Sequence, residues 1–179
     1  MVTRVLPPLA LGAIGGLALA LANLSPTGAI GTAGLVAFYL SLALVGWIVL
    51  RPGVRWWIAS VLGAVIGLVL GLMTLLATHN ITFCLLEPCD EVPTAFGLLF
   101  AVNLGILGLA QAIALRGRRR KLTWFVGNLL GGAALGFGIQ LSSSALHLGN
   151  QVVNYLPGLI GGLAWGIVLA VTLARLPRD

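Results

Sequence analysis

Charge is what this chain has least of. Four acidic and ten basic residues make up 8% of 179, whereas soluble globular domains carry about 25%. The polar surface that would cover a water-soluble fold cannot be assembled from them, and 59% hydrophobic residues with a mean hydropathy of +1.09 point the same way. Cysteine and histidine are nearly missing too, two of each, and neither pair has the spacing of a zinc cluster. No polar stretch is long enough for a soluble catalytic domain. What the chain does have is apolar runs, and with them 25 glycines.

Apolar runs long enough to span about 30 Å of hydrocarbon lie at 5–24, 28–50, 56–78, 95–115, 122–141 and 157–175. Turn-formers separate them: Ser25-Pro26-Thr27-Gly28, Arg51-Pro52-Gly53, Glu87-Pro88, Val92-Pro93 and Leu156-Pro157. A transmembrane barrel would instead show alternating strands of about ten residues. The expectation is an all-α bundle of six transmembrane helices in one domain over 1–179, with residues 79–94 as a cap loop. At roughly 20 residues per crossing, about 60 residues remain for turns and ends. Arg4, the apolar stretch after it and the small residues Ala18, Ala20 and Ala22 before Asn23 also fit a cleavable signal peptide; the reading adopted is a retained first helix.

All ten basic residues fall on one side of this layout: Arg4, then Arg51 and Arg55, then Arg116, Arg118, Arg119, Arg120 and Lys121, then Arg175 and Arg178. The positive-inside rule therefore places both termini in the cytoplasm, in a bacterial inner or thylakoid membrane. Glu87, Asp90 and Glu91 fall outside. Arg118, Arg119, Arg120 and Lys121 read as a topology signal and a contact for anionic lipid headgroups, so the high pI calls for no nucleic-acid partner. Trp47, Trp56, Trp57 and Trp124 fall at the cytoplasmic edge, where an aromatic belt is expected.

A pattern recurs along the chain. Gly46 to Arg51 followed by Trp56-Trp57-Ile58-Ala59-Ser60-Val61-Leu62-Gly63 is matched by Ala110 to Arg116 followed by Trp124-Phe125-Val126-Gly127-Asn128-Leu129-Leu130-Gly131. Val171-Thr172-Leu173-Ala174-Arg175 is a third, partial copy. The expectation is three two-helix repeats of one orientation, about 1–55, 56–121 and 122–179, around a pseudo-threefold axis along the membrane normal. Inverted repeats with broken helices, the design of many secondary transporters, do not fit. Gln111 to Gly131 resembles the recurring Gln-x3-Leu-Arg, basic turn, Trp-x5-Leu-Gly unit of uncharacterised small polytopic membrane proteins of cyanobacteria and other photosynthetic bacteria. The likeness covers about 16–140, and the first hairpin departs from it. It implies no activity and carries over no functional residue. In helix count, length and termini the chain is also similar to the substrate-binding subunits of energy-coupling-factor vitamin transporters.

In lipid, small residues at four-residue spacing mark helix–helix faces. Gly63, Gly67 and Gly71 form one such ridge; Gly158, Gly162 and Gly166 form another; Gly127 with Gly131, and Gly132 with Gly136, are shorter. Either these ridges pack the bundle itself, or one faces outward to receive a neighbouring subunit, a flat pigment or a lipid. No ionisable residue falls in the middle of a span, which argues against an ion-driven pump. Asn103, Gln111, Asn128 and Gln140 are the amides within spans; they form interhelical hydrogen bonds, or Asn103, Asn128 and Gln140 contact a ligand.

Cys84 and Cys89 share the long outer loop, on the side where disulfides persist, and a disulfide between them is expected. A thiol-exchange centre fits less well, because the spacing is Cys-x4-Cys and the flanking acids disfavour a thiolate. His79 and His147 fall near the outer face, facing headgroups, or ligating a haem or a chlorophyll-type pigment. Ser142-Ser143-Ser144 near His147 lacks the nucleophile-elbow pattern of a serine hydrolase, and Asn80-Ile81-Thr82 matches the glycosylation sequon. The function expected from these features is a non-enzymatic membrane subunit packed against other subunits of a larger complex, photosynthetic or energy-converting, with membrane lipids around it. The alternative is a component that binds or transports an uncharged or lipophilic small molecule and needs a coupling partner.

Overall fold

The computed structural model describes residues 2–24, 29–50, 53–78, 93–146 and 155–175. They form six helices and no strand: α1 (Val2–Leu24), α2 (Ala29–Leu50), α3 (Arg55–Thr78), α4 (Pro93–Ala114), α5 (Arg118–Leu146) and α6 (Tyr155–Ala174). Five, α2 to α6, are long and apolar enough to cross a membrane, so this is a multi-pass membrane protein. Pro7 and Pro8 lie within α1, a helix of 23 residues. Pro93 opens α4 and Pro157 lies in the first turn of α6, where a missing N–H costs nothing.

The basic run differs from the expected turn. Arg118 to Lys121 are helical, the first turn of α5, so this helix begins four residues earlier than apolarity indicates and runs on through Ser142–Ser144. Cations at a helix N-terminus oppose its dipole, but the cost in water is only a few tenths of a kcal/mol. The turn before it needs Gly117, whose φ of 81° suits glycine, and the Gly117 carbonyl accepts the Lys121 N–H at 3.1 Å.

Neighbours in sequence pack antiparallel, and α6 closes back on α1, so the helices follow a circuit from α1 to α6 and round again. The centre is filled by Phe38, Leu42, Phe100, Leu104, Leu107, Leu135, Trp165 and Leu169. Close packing at the joints comes from glycine. A Cβ on Gly162 would meet the Gly12 carbonyl and lie 2.9 Å from the Gly16 Cα; one on Gly67 would lie 2.5 Å from the Asn103 carbonyl; one on Gly132 would lie 2.8 Å from the Phe100 carbonyl carbon. The ridges Gly63-Gly67-Gly71, Gly127-Gly131 and Gly158-Gly162-Gly166 thus all press on neighbouring helices of the same chain: α4, α6 and α1 respectively. The outward-facing alternative is corrected for these three.

One joint differs. The α2–α3 pair barely touches, although the other five pairs around the circuit pack along their lengths. Its contacts gather at one end, where Trp56 of α3 is laid on Gly46 of α2 and Trp57 pairs with Trp47, close in sequence to the basic residues Arg51 and Arg55. Beyond it the facing side chains are bulky, Leu35, Tyr39 and Leu40 against Trp57, Val61 and Leu68, while the α3 glycines point to α4.

Gly162→Ala is expected to lower stability in detergent by about 1–3 kcal/mol, because a backbone oxygen and not a flexible side chain stands in the way, whereas Gly53→Ala, with nothing within 4 Å, leaves it unchanged. Thermal unfolding of the two variants checks this; equal midpoints would remove the role given to glycine.

A lateral cleft and the polar relay beside it

The gap between α2 and α3 is a cleft of about 340 Å³, at the lower end of the range for small-molecule pockets. From α2 it takes Leu35, Val36, Tyr39, Leu40 and Ala43, and from α3 Trp57, Ser60, Val61, Ala64, Val65 and Leu68, each set recurring at helical spacing along one face. Val36, Leu40, Val61 and Val65 at its rim are exposed on the surface that lipid would cover. One end is shut: Trp56 is fully buried over Gly46, its Nε1 donates to the Ala43 carbonyl at 3.0 Å, and Trp47 and Trp57 pair beside it with ring centroids 6.1 Å apart.

Among the lining side chains Tyr39 and Ser60 carry hydroxyls and Trp57 an indole N–H, and both hydroxyls are engaged. Tyr39 Oη donates to Asn103 Oδ1 at 3.1 Å and accepts from Asn103 Nδ2 at 2.7 Å, which ties α2 to α4 across the bundle. Ser60 Oγ donates to the Trp56 carbonyl at 2.8 Å and accepts from Gln111 Nε2 at 2.9 Å. Gln111 Oε1 in turn accepts from Trp124 Nε1 at 3.0 Å, and Asn128 Nδ2 donates back to the Trp124 carbonyl at 3.0 Å. The relay joins α3, α4 and α5, and the Trp56 N–H carries it on to α2. Each hydroxyl has spent its single proton and retains accepting capacity. The wall therefore offers no charge and no free hydroxyl proton, and a polar or charged guest would leave its water without replacement partners.

Of the amides expected in the spans, Asn103 is 3% exposed and bonded to Tyr39, and Asn128 is 1% exposed and bonded to its own helix. Gln140 lies on α5, but its side chain is outside the described residues. So are Cys84, Cys89, His79, His147 and most of the 79–94 cap loop. Arg118, Arg119 and Lys121 are exposed and Arg120 is half-buried. Among the described residues no three of His, Cys, Asp and Glu come together.

The aromatic belt needs a correction. Trp47 is exposed and Trp57 half-buried, as interfacial residues are, but Trp56 and Trp124 are both 0% exposed and pack on one another with centroids 5.3 Å apart. Each has an N–H that must find an acceptor once buried, and each finds it thirteen residues back, at Ala43 or Gln111. Each Trp is followed four residues later by a buried polar residue, Ser60 or Asn128. Sequence reasoning also passed over Tyr39, and over Trp165, which is buried against Gly131 and has no hydrogen-bond partner for Nε1 among the described residues.

Compared with known protein families, with characterised proteins and with solved structures, the chain matches none.

Gln111→Leu severs both interhelical bonds and strands the Trp124 N–H, for an expected loss of about 1–3 kcal/mol. In a double-mutant cycle with Trp124→Phe, the two changes should couple by about 0.6–2 kcal/mol. Additive effects in detergent unfolding would mean that the Gln111–Trp124 bond contributes nothing.

Proposed function

We propose that this protein is a membrane-embedded binding protein that admits an uncharged, lipophilic molecule sideways from the bilayer into the α2–α3 cleft. The observation that carries the reading is the open joint itself: five joints are closed by backbone contact or interlocked side chains, and the sixth is held apart at an apolar cavity of about 340 Å³. A guest with one hydroxyl or N–H suits it best, because Tyr39 and Ser60 retain acceptors and have no proton left to give. The protein's part is to hold and present this molecule rather than to transform it. Coupling to a second protein would supply any transport step.

The proposal includes the topology. All six helices cross, α1 included, since it packs along both α2 and α6; both termini lie in the cytoplasm of a bacterial inner or thylakoid membrane; and the chain is three like-oriented hairpins. On this reading the α2–α3 joint is the place where the threefold pattern is broken, equivalent to the closed joints α4–α5 and α6–α1.

A second reading, a subunit packed against a larger membrane complex, has one observation in its favour. α3 has the smallest buried share of the five spanning helices, with Ile58, Leu62, Ile66 and Met73 exposed. Against it, this face is branched and bulky, while partner helices in lipid usually meet on small residues.

The test is organic extraction and mass spectrometry of protein purified from its native membrane, beside an Ala64→Trp variant that fills the cleft. The wild type is expected to carry one recurrent uncharged lipophilic compound at near-stoichiometric level, and the variant to lose at least nine-tenths of it (roughly the tenfold that about 1.4 kcal/mol gives). Equal recovery from both would contradict the cleft reading. Co-purification of a stoichiometric membrane subunit, lost on Leu62→Arg, would establish the second reading instead.

A further inference from the structure

On the far side of α5 a second groove runs between α5 and α6, with a volume of about 520 Å³. Leu122, Val126 and Leu130 of α5 and Ile167 and Val171 of α6 form its walls and are exposed. Gly127 in its lining has no side chain: a Cβ there would lie 2.5 Å from Thr172 Cγ2, so the threonine packs against the α5 backbone. Thr172 Oγ1 is turned to its own helix and donates to the Val168 carbonyl at 2.8 Å, which leaves the floor apolar. From Arg119 to Leu130 the groove follows eleven residues of helix, about 16 Å at 1.5 Å each, or half the hydrocarbon thickness of about 30 Å. That is the reach of one leaflet.

Two cations close one end of it. Arg119, in the first turn of α5, and Arg175, just after α6, both line the groove, and the antiparallel packing brings them to the same end of the bundle. All four acids of the chain, Glu87, Asp90, Glu91 and Asp179, lie outside the described residues, so no described carboxylate faces either guanidinium. Two guanidinium forks at the mouth of an apolar track one leaflet long match a phosphate that carries an acyl chain. The α2–α3 cleft has no cation and suits a different class of molecule.

We propose that the α5–α6 groove is a binding site for an anionic phospholipid, with its phosphate between Arg119 and Arg175 and one acyl chain laid along the track over Thr172. The site joins the start of α5 to the end of α6. A bound lipid thereby bridges the first turn of α5 and the end of α6.

Native mass spectrometry of the full chain, titrated with phosphatidylglycerol, phosphatidylcholine of the same chains, or glycerol phosphate without chains, tests it. Phosphatidylglycerol is expected to bind one equivalent in preference to phosphatidylcholine, and glycerol phosphate not to compete. Arg119→Gln with Arg175→Gln should weaken phosphatidylglycerol about thirtyfold, at about 1 kcal/mol per arginine. Arg55→Gln with Arg118→Gln removes the same charge outside the groove and should bind as wild type; an equal loss there would reduce the site to diffuse surface attraction and overturn the proposal. Val171→Trp keeps both arginines and fills the track, so it should bind as weakly as the arginine pair, and wild-type binding by it would overturn the acyl-chain placement. If the arginine pair does not fold, Val171→Trp and the glycerol phosphate competition decide: free phosphate that displaces the lipid would show an anion site without a chain.

Discussion

Hydrocarbon gives an apolar side chain no reason to leave it, so a bundle like this one depends on how closely its helix backbones can approach. Here that approach is set by glycine. Gly12 and Gly16 against Gly158, Gly162 and Gly166, and Gly63, Gly67 and Gly71 against α4, place one backbone where the other helix's side chains would have stood. Dispersion contacts are short-ranged, and a gap of even half an ångström forfeits a quarter or more of each. The positions of the glycines therefore decide which joints close. The α2–α3 joint, where branched and aromatic side chains face each other and the α3 glycines look to α4, stays open apart from Trp56 on Gly46.

The polar groups act within the frame that the glycines set. The relay from Trp56 through Ser60 and Gln111 to Trp124 runs beside the open joint and fixes α3 to α4 and α5, while Tyr39 with Asn103 fixes α2 to α4. Both sides of the cleft are thus held from behind, and α2 and α3 meet directly at its shut end, where Trp56 Nε1 donates to the Ala43 carbonyl. Stability and opening are compatible for that reason: away from that end α2 and α3 need not touch each other in order to stay in place. A cleft walled this way meets the bilayer with apolar surface, two hydroxyl acceptors and the Trp57 indole, and the α5–α6 groove meets it with apolar surface and two cations.

Most of the layout was legible because a spanning helix announces itself by length and apolarity alone, and five of the six runs fall on helices that meet that measure. The start of α5 was not, since Arg118 to Lys121 are helical in spite of their polarity. Glycine spacing correctly marked packing faces, but spacing carries no direction, and an inward ridge reads the same as an outward one. Trp56 and Trp124 were misplaced at the surface for a related reason: tryptophan suits both a lipid interface and a core that offers its N–H an acceptor, and only the fold brings Ala43 and Gln111 within reach. The cleft left no trace in the sequence. It is the outcome of what two consecutive helices happen to present to each other, and neither helix alone contains it.

The most direct measurement is the accessibility of nitroxide labels to oxygen and to a water-soluble nickel chelate in liposomes, read by electron paramagnetic resonance in a chain with Cys84 and Cys89 replaced by serine. Labels at Ala43 and Ala64, which line the cleft, would be compared with one at Val69 on the exposed surface and one at Leu107 in the core. An α2–α3 joint open to the bilayer predicts that both cleft labels meet oxygen as readily as Val69 and do not meet nickel. Protection of both to the level of Leu107 would show the joint closed in the membrane and would contradict the account at its centre.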